Sequence, residues 1–501
     1  MGYRTYTCPI SRSCGGCEWL AVPYPIQLRR KQEQVVSLLG GAAERDGAVV
    51  DEIRGMDEPL RYRHKAATPF AHGGRGRVLS GFYAAGTHRI VGCRDCLVED
   101  ERARRVLNAV ARVAERLHVP PYDEDRGVGV LRHAVVRCGY ASDDVMLVLV
   151  TRTEELRGAQ RLVGELRAEC PELTTIVQNV NDRRTNAILG HRTHVLWGPG
   201  AMHDSLLGCE FEIGPTSFYQ TNPEQTEVLY SLAIEGAAGA GDGERGDAAC
   251  GRVRVLDAYC GTGTIGICLA SAWPEADVIG VEQVRGAVEC ARRNARANGV
   301  KDRCEFVAAD ATAWMHKEGR SREVDVVVMD PPRAGSTPEF LTGVCELAPE
   351  RVVYVSCNVV TQARDLEALR AGGYRLERVS AVDMFPHTKH VETVCLLTRE
   401  KSVKSYAYVD ITPSELGMGG KVKKPTYKQI QAYVLETHGL KVSPLYIANV
   451  KDEFGLEKQF SYEEAGMSAK KRPNCPPEKR AAIIDALIHF GMLDEDARET
   501  E

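Results

Sequence analysis

The sequence predicts an α/β protein built around a doubly wound, largely parallel sheet. Between residues 253 and 398, apolar β-branched runs such as VRVLDAY, DVIGVE, VDVVVMD and RVVYVS alternate with segments of helical spacing. Buried parallel strands have this pattern because helices cover both faces of their sheet. A glycine-rich turn, CGTGTIG, directly follows the first of these strands. The chain has 501 residues, which is too long for one ordinary core, so further domains are expected.

The remaining segments predict three smaller regions around this sheet. Residues 1–100 are dense in Gly, Cys and Arg and contain GRVLSGFYAAGTHRIVG, an alternating segment typical of a β-hairpin. Residues 101–208 open with the helical ERARRVLNAVARVAERL and continue with strands and a further helix, as in a small α+β domain. The doubly wound domain is assigned to 209–400 and a helical appendage to 401–501. The Gly- and Ala-rich stretch 236–252 lacks apolar periodicity and is expected to be a flexible loop.

Composition restricts the classes of function. No run of about 18 apolar residues and no charged-then-apolar leader is found, so a soluble, cytoplasmic protein without a membrane partner is expected. A net charge of −5 argues against a wholly basic nucleic-acid coat protein. Residues 61–94, however, carry seven Lys and Arg, no Asp or Glu, and several interleaved aromatic residues, which suits phosphates and unpaired bases. The alternative is a solvated hairpin surface, and the basic stretch 421–429 is interpreted as solvated.

The glycine turn predicts a nucleotide-like ligand. In VLDAYCGTGTIG the glycines bring backbone close to a ligand at a helix N-terminus, and Glu282 closes the next strand, where an acid binds ribose hydroxyls. This pattern alone suits a dinucleotide equally well, which leaves an NAD-type oxidoreductase as an alternative. Further acids, Asp257, Asp310 and Asp330, end strands of the same sheet and are expected to line one crevice. An acid-lined pocket favours the positively charged sulfonium of S-adenosylmethionine.

A cysteine ends the next predicted strand, in VSCN. Cys357 is therefore expected to open onto the same crevice, where a thiol suits covalent catalysis better than core packing. C5 of a pyrimidine is a poor nucleophile until a thiolate adds to C6, and a base must later remove the C5 proton. Glu392 in PHTKHVETV is the candidate base. Its alternative role is that of an edge-strand acid paired with Lys389.

Five motifs in this order resemble those of the RNA uracil-5-methyltransferases: SFYQTN, DAYCGTGTIG, MDPPRAG, VYVSCN and MFPHTKHVETV. The resemblance extends from about Cys8 to Arg399 and implies a Rossmann-like, S-adenosylmethionine-dependent methyltransferase domain. It implies that Cys357 attacks C6 of the uracil and that Glu392 removes the C5 proton. It also implies a set of residues that contact S-adenosylmethionine: Gln220, Tyr259, Glu282 and Asp330.

The cysteines near the N-terminus predict a metal site. CPISRSCGGC has C-x5-C-x2-C spacing, and Cys93 and Cys96 lie farther along the chain. Four thiolates hold either zinc or an iron–sulfur cluster, and spacing alone does not separate the two, while buried free thiols are the alternative. In the family resembled, ribosomal RNA enzymes carry a [4Fe-4S] cluster that bacterial transfer RNA enzymes lack. The resemblance implies a cluster on Cys8, Cys14, Cys17 and Cys96, with Cys93 as the competitor for the fourth position.

The predicted function is methylation of a uridine at C5, with 23S ribosomal RNA as the partner, no DNA, and a monomeric enzyme. Transfer RNA is the nearest alternative substrate, and a non-catalytic iron-bearing RNA-binding protein is a more distant one. Many ribosomal RNA members begin with a small β-barrel before the cysteines, whereas only seven residues precede Cys8 here. The target base must be unstacked to reach the pocket, and LRHAVVR (131–137) and residues 61–94 are the candidates to hold the strand.

Overall fold

The computed structural model describes residues 4–84, 86–185, 187–239, 252–400, 425–454, 456, 475–490 and 492–493. It divides into two compact units, Met1–Lys404 and Ser405–Glu501. Most of the predicted loop at 236–252 lies outside the described residues, as do residues 421–424 of the basic stretch.

Strands and helices are numbered along the chain. The strands are β1 (Val49–Val50), β2 (Lys65–His72), β3 (Val78–Tyr83), β4 (Ile90–Gly92), β5 (Leu131–Cys138), β6 (Val145–Thr151), β7 (Thr175–Val180), β8 (Arg192–Trp197), β9 (Met202–Leu206), β10 (Cys209–Ile213), β11 (Val253–Ala258), β12 (Ala276–Glu282), β13 (Cys304–Ala308), β14 (Val326–Met329), β15 (Arg351–Ser356), β16 (Tyr374–Val382) and β17 (Glu392–Arg399). The helices are α1 (Ser11–Cys14), α2 (Tyr24–Asp46), α3 (Glu101–Arg116), α4 (Ala159–Glu169), α5 (Pro223–Ala238), α6 (Thr264–Ala272), α7 (Arg285–Ala297), α8 (Ala311–Lys317), α9 (Pro338–Leu347), α10 (Val359–Ala371), α11 (Tyr427–His438), α12 (Pro444–Glu453) and α13 (Pro477–His489). Within the described ranges, no helix has the length and apolar character needed to cross a membrane.

An eight-stranded sheet confirms the predicted doubly wound fold. Its strand order is β1-β16-β17-β15-β14-β11-β12-β13. Helices α5, α6 and α7 pack on one face, and α2, α8, α9 and α10 pack on the other. Neighbouring strands are parallel except at β17, which runs antiparallel to both β15 and β16. Strand β17 is antiparallel because it returns from β16 through a short loop, not through a crossover helix. The predicted strands also lack β16, whose first half alternates charged and apolar residues.

Helix α2, in the N-terminal part of the chain, holds the loop between β16 and β17 in place through buried polar contacts. The Lys31 Nζ lies fully buried 2.5 Å from Asp383 Oδ1 and also donates to the Phe385 carbonyl over 3.1 Å. The Gln27 side chain accepts from the His387 backbone N–H at 2.9 Å, and its amide nitrogen lies 3.1 Å from His387 Nδ1. Strand β1, directly after α2, pairs in parallel with β16. Part of the predicted 1–100 region therefore belongs to the eight-stranded sheet and positions the loop that leads to Glu392.

A second, seven-stranded sheet has the order β4-β3-β2-β5-β6-β7-β8. The predicted hairpin forms within it, as β3 and β4 pair antiparallel. Helices α3 and α4 cover one face, and the other face packs through Val135, Met146, Val148 and Val150 onto the core beneath α5 and α6. The sequence predicts a domain boundary at residue 100. This sheet contains strands from both sides of that boundary, because β2 and β5 are joined by backbone hydrogen bonds.

The second unit contains helices α11, α12 and α13 around a core of its own. Ile430, Val434, Ile447, Ile483 and Leu487 are fully buried there. Thr426 and Gln429 form a reciprocal capping box that satisfies backbone groups at the start of α11. The helical appendage predicted for 401–501 thus contains three helices within the described residues.

Candidate active site

The glycine turn between β11 and α6 has the backbone geometry expected of a ligand-binding loop. Gly261 and Gly263 have φ angles of 55° and 77°, a region that favours glycine. The Gly266 N–H donates to Asp257 Oδ2 over 2.9 Å at the start of α6. Asp257 is buried, so it supports the turn from below. The expectation that Asp257 lines the crevice is wrong, because its carboxylate is turned toward the backbone of α6.

Two of the predicted donor-binding residues lie against this turn. Glu282, at the end of β12, accepts from the Gly261 N–H at 3.2 Å and from the Val284 N–H at 2.7 Å. Tyr259 has a positive φ of 64°, and its ring centroid lies 5.2 Å from that of Phe340. The side chains of Glu282 and Tyr259 are thus held in fixed orientations beside the glycine backbone.

Gln220 and Asp330 approach the same region from other elements. Gln220 lines a small cavity together with Thr264, the first residue of α6. Tyr230 contributes to this cavity, and its hydroxyl lies 3.3 Å from Thr264 Oγ1. The backbone N–H of Asp330, at the end of β14, donates to the Ala258 carbonyl at 3.4 Å. All four predicted donor-binding residues therefore surround the segment from the end of β11 to the start of α6.

Cys357 and Glu392 lie at the adjoining ends of two antiparallel strands. The last pair in the β15–β17 ladder is Ser356 with Thr393. The next pair of residues beyond Ser356 and Thr393 is Cys357, which follows β15, and Glu392, which begins β17. The two side chains are therefore neighbours. Cys357 is half-buried, whereas the Glu392 side chain is only 6% exposed. The ends of β14 and β15 lie side by side, which brings Asp330 into the same group.

The alternative role for Glu392, an edge-strand acid paired with Lys389, is wrong. Strand β17 lies between β15 and β16 and is not at an edge of the sheet. The Lys389 Nζ instead lies 3.4 Å from Glu18 Oε1. Glu392 is therefore a buried acid without this cation as its partner.

Burial raises the pKa of every ionisable group in this cluster. The pKa of Cys357 is raised to about 11, first by burial and then by the carboxylates of Glu392 and Asp330, with Arg333 acting in the opposite direction. Burial, reinforced by Asp330, raises the pKa of Glu392 well above its usual range. Burial also raises the pKa of Asp330 to about 7. A carboxylate in such surroundings is a stronger base than one in water.

Two neighbours of this cluster were not assigned a role from the sequence. Asn358 caps α10 by accepting from the Val360 N–H, and its side-chain amide donates to the Arg333 carbonyl over 3.0 Å. The Arg333 guanidinium lies 2.8 Å from His390 Nδ1. These contacts link the loops after β14, β15 and β16 around Cys357. Their only sequence signal is adjacency to the motifs, since Arg333 ends MDPPR and Asn358 ends VSCN.

The N-terminal cysteines converge on one cavity, lined among others by Cys8, Cys14, Cys17, Cys93 and Cys96. The buried Cys93 thiol donates to the Asp95 carbonyl at 3.1 Å. The neighbouring Cys93 thiol and then the backbone N–H groups of Val98 and Glu99 lower the pKa of Cys96. Among the described residues, however, no three His, Cys, Asp or Glu side chains are arranged so that they could hold a metal ion. The shared cavity therefore does not by itself support the predicted cluster.

Comparison with known proteins identifies the class. Residues 251–407 match the model of a methyltransferase domain. An uncharacterized RNA methyltransferase of Halalkalibacterium halodurans is 41% identical over 393 residues, which cover 78% of this chain and 82% of the relative. Another from Staphylococcus aureus is 38% identical over 390 residues, covering 78% of this chain and 83% of that protein. The chain belongs to the family of RNA methyltransferases.

A solved structure supports the same class. The crystal structure of Pyrococcus abyssi tRNA (uracil-54, C5)-methyltransferase in complex with S-adenosyl-L-homocysteine matches with a TM-score of 0.61 and 26% identity. The match covers 78% of this chain and 87% of that chain. The prediction of a methyltransferase enzyme with a Rossmann-like domain is confirmed, and the oxidoreductase alternative is not supported.

The raised pKa of Cys357 predicts slow alkylation of the free enzyme at neutral pH. Because the thiolate is the reactive form, the rate of carbamidomethylation at Cys357 should rise about tenfold per pH unit from about pH 7 to about pH 10. Glu392→Gln removes a negative neighbour, so it should lower the pKa and increase the rate at about pH 9.

Peptide mass spectrometry measures this rate at Cys357 separately from the other cysteines. Glu350→Gln, an exposed acid at the opposite end of β15, is the matched control and should leave the rate unchanged. Alkylation at neutral pH as fast as that of a free thiol would contradict the assigned environment.

Proposed function

We propose that this enzyme transfers a methyl group from S-adenosylmethionine to C5 of a uridine in RNA. The observation that carries the proposal is the adjacency of the Cys357 thiol and the Glu392 carboxyl at the strand ends beside the glycine turn. A thiol and a buried base are the two groups that substitution at C5 of a pyrimidine requires. The resemblance to the P. abyssi enzyme, whose name specifies uracil C5, supports the same chemistry.

Four residues would hold the methyl donor. Glu282 is oriented by the Gly261 N–H so that a carboxylate oxygen can accept from ribose hydroxyls, while the ring of Tyr259 offers a flat apolar surface beside the turn. Gln220 and Asp330 close the site from the loop before α5 and from the end of β14. When bound, S-adenosylmethionine supplies an electrophilic methyl group. The acidic surroundings suit its positively charged sulfur.

The chain supplies two steps around the methyl transfer. The Cys357 thiolate forms a bond to C6 of the uracil, and the C5–C6 electron pair moves onto C5 and the O4 carbonyl, so that C5 becomes nucleophilic. After C5 has accepted the methyl group, Glu392 removes the C5 proton. The electrons of that C–H bond restore the C5–C6 double bond and expel the thiolate. Burial prepares Glu392 for this step because it raises the basicity of the carboxylate.

Substitution of the two residues should block different steps. Cys357→Ala should abolish methylation while S-adenosylhomocysteine binds with nearly unchanged affinity. Glu392→Gln should accumulate a covalent enzyme–RNA adduct, because the methylated intermediate keeps its C5 proton. Denaturing gels with labelled RNA detect the adduct, and calorimetry measures donor binding.

Matched variants make these outcomes specific. Cys345→Ala removes another half-buried thiol and should retain turnover, and Glu350→Gln should show no adduct. Normal turnover by Cys357→Ala would refute the assignment of the nucleophile. If Glu392→Gln released product at the wild-type rate, another group would be the base.

The RNA that we propose is 23S ribosomal RNA, on the basis of the cysteine pattern described above. Transfer RNA is the second candidate, because the P. abyssi enzyme is named for it. Nucleoside mass spectrometry of both RNAs from cells with and without the gene separates the two. One 5-methyluridine should disappear from 23S ribosomal RNA, and its loss from transfer RNA would select the second candidate. If both RNAs kept all their 5-methyluridine, the reaction assignment would be wrong.

We further propose that Cys8, Cys14, Cys17 and Cys96 hold a [4Fe-4S] cluster, with Cys93 outside the ligand set. The proposal rests on the resemblance of the cysteine spacing to the iron–sulfur members of the family, and Cys93 is placed outside the set because its thiol donates to the Asp95 carbonyl. The reaction above contains no redox step, so the cluster would stabilise this region and shape the RNA-binding surface.

Iron content tests this ligand set. Protein purified without oxygen should contain about four iron atoms per chain, the composition of the cluster. Cys96→Ser should lose most of the iron and Cys93→Ser should retain it. Zinc in place of iron, or equal iron in both variants, would refute the proposed ligands.

A further inference from the structure

The two predicted RNA-contacting segments meet at a pair of cations. Lys65 begins β2 and Arg137 lies near the end of β5, and they are directly opposite each other in the β2–β5 ladder. Directly opposed residues project from the same face of a sheet with Cβ atoms about 5 Å apart, where like charges are destabilising. One residue comes from the basic segment 61–94 and the other from LRHAVVR.

Neither cation is neutralised within the described part of the chain, where no carboxylate forms an ion pair with Lys65 or Arg137. Arg137 is only 3% exposed and its Nε has no hydrogen-bond partner, although one terminal nitrogen donates to the Ser217 carbonyl. Burial and the charge of Arg137 lower the pKa of Lys65 to about 8. Burying unpaired cations side by side disfavours folding, which indicates that an anion is the missing partner.

Two other cations of the predicted segments are paired with carboxylates. Arg61 lies 2.9 Å from Asp95 Oδ1 and 3.3 Å from Glu101 Oε1. Arg132, five residues before Arg137, lies 3.0 Å from Glu124 Oε1. Lys65 and Arg137 differ from these two in that no carboxylate of the described residues pairs with them, and they lie directly opposite each other.

This pair borders the loop that carries Gln220. Arg137 donates to Ser217 at one end of the loop, and the His64 N–H, next to Lys65, donates to the Thr221 carbonyl at 2.8 Å. Lys65 remains partly exposed, so an anion can reach its Nζ from outside. The cations thus stand on the second sheet, beside the loop that carries Gln220.

We propose that Lys65 and Arg137 bind a backbone phosphate of the substrate RNA next to the target nucleotide. The inference rests on the proposed function, since it identifies how that site holds its RNA. A guanidinium fork matches two phosphate oxygens and an ammonium adds a point charge, so the pair suits a phosphodiester. The donor carboxylate is the competing anion. The affinity for S-adenosylhomocysteine, which carries the same carboxylate, distinguishes the two anions.

Binding of a twelve-nucleotide oligo(U) tests the pair without requiring methylation. Lys65→Gln should weaken binding roughly tenfold and reduce the slope of log Kd against log salt by about 1, as expected for one lost phosphate contact. Arg152→Gln removes an exposed charge after β6, outside both segments, and should change affinity and slope much less. The affinity for S-adenosylhomocysteine should stay constant, and a parallel loss there would overturn the proposal in favour of the donor carboxylate.

Stability separates binding from a structural role. Because Lys65 and Arg137 repel each other in the free enzyme, Lys65→Gln should unfold at the same or a higher temperature than the wild type. A large decrease in unfolding temperature together with unchanged RNA affinity would show a structural role and overturn the proposal. Arg137→Lys, which keeps the charge but loses the fork, should raise KM for RNA with kcat nearly unchanged.

Uncharged methylphosphonate linkages identify which phosphate of the substrate RNA contacts Lys65 and Arg137. Methylphosphonate is placed at each position around the modified uridine, and affinity is compared for wild type and Lys65→Gln. At one linkage the loss of affinity caused by methylphosphonate and the loss caused by Lys65→Gln should not add, because both changes remove the same contact. Additive losses at every linkage would refute the contact. If the enzyme formed no 5-methyluridine in RNA, that result would refute the proposed function. The oligo(U) binding experiment would still test the phosphate contact on its own.

Discussion

The antiparallel position of β17 is the constraint on which the candidate site depends. A parallel strand in that place would bring its carboxyl end to the crevice, and Glu392, its first residue, would lie at the opposite edge of the sheet. Because β17 reverses direction, its beginning meets the end of β15 and the carboxyl group of Glu392 lies beside Cys357. The reversal requires a short connection from β16, and helix α2 fastens that connection through Lys31 and Gln27.

Buried charge is concentrated around this crevice. Asp330 and Glu392 are held where burial raises their pKa values, and among the described residues no carboxylate pairs with Lys65 or Arg137 beside the neighbouring loop. Such arrangements destabilise a folded chain unless a ligand or a reaction uses them, so strongly shifted groups mark functional positions. The acids lie on the methyltransferase sheet, toward which a cationic donor is drawn. The cations lie on the second sheet, which suits an anionic RNA.

Local motifs made much of the site predictable. Residues directly after buried parallel strands share one edge of the sheet, so the positions of Glu282, Asp330 and Cys357 followed from strand order alone. The same rule failed for Asp257, because a short side chain at the base of the turn reaches the backbone of α6 more easily than the crevice. It also missed β16, since a strand with charged residues on one side has a weaker apolar signal than its neighbours.

The sequence by itself determined the fold class, the family motifs and the strand ends that carry chemistry, because these depend on short-range periodicity and on turns of a few residues. Only the tertiary structure decided which strand is antiparallel, which helix holds the loop before Glu392, and which basic residues have no carboxylate partner among the described residues. Those features depend on contacts between residues far apart in the chain, such as Gln27 with His387 and Lys65 with Arg137. These long-range contacts form because burial and backbone hydrogen bonding bring distant segments together in the assembled sheets. No local sequence pattern predicts them.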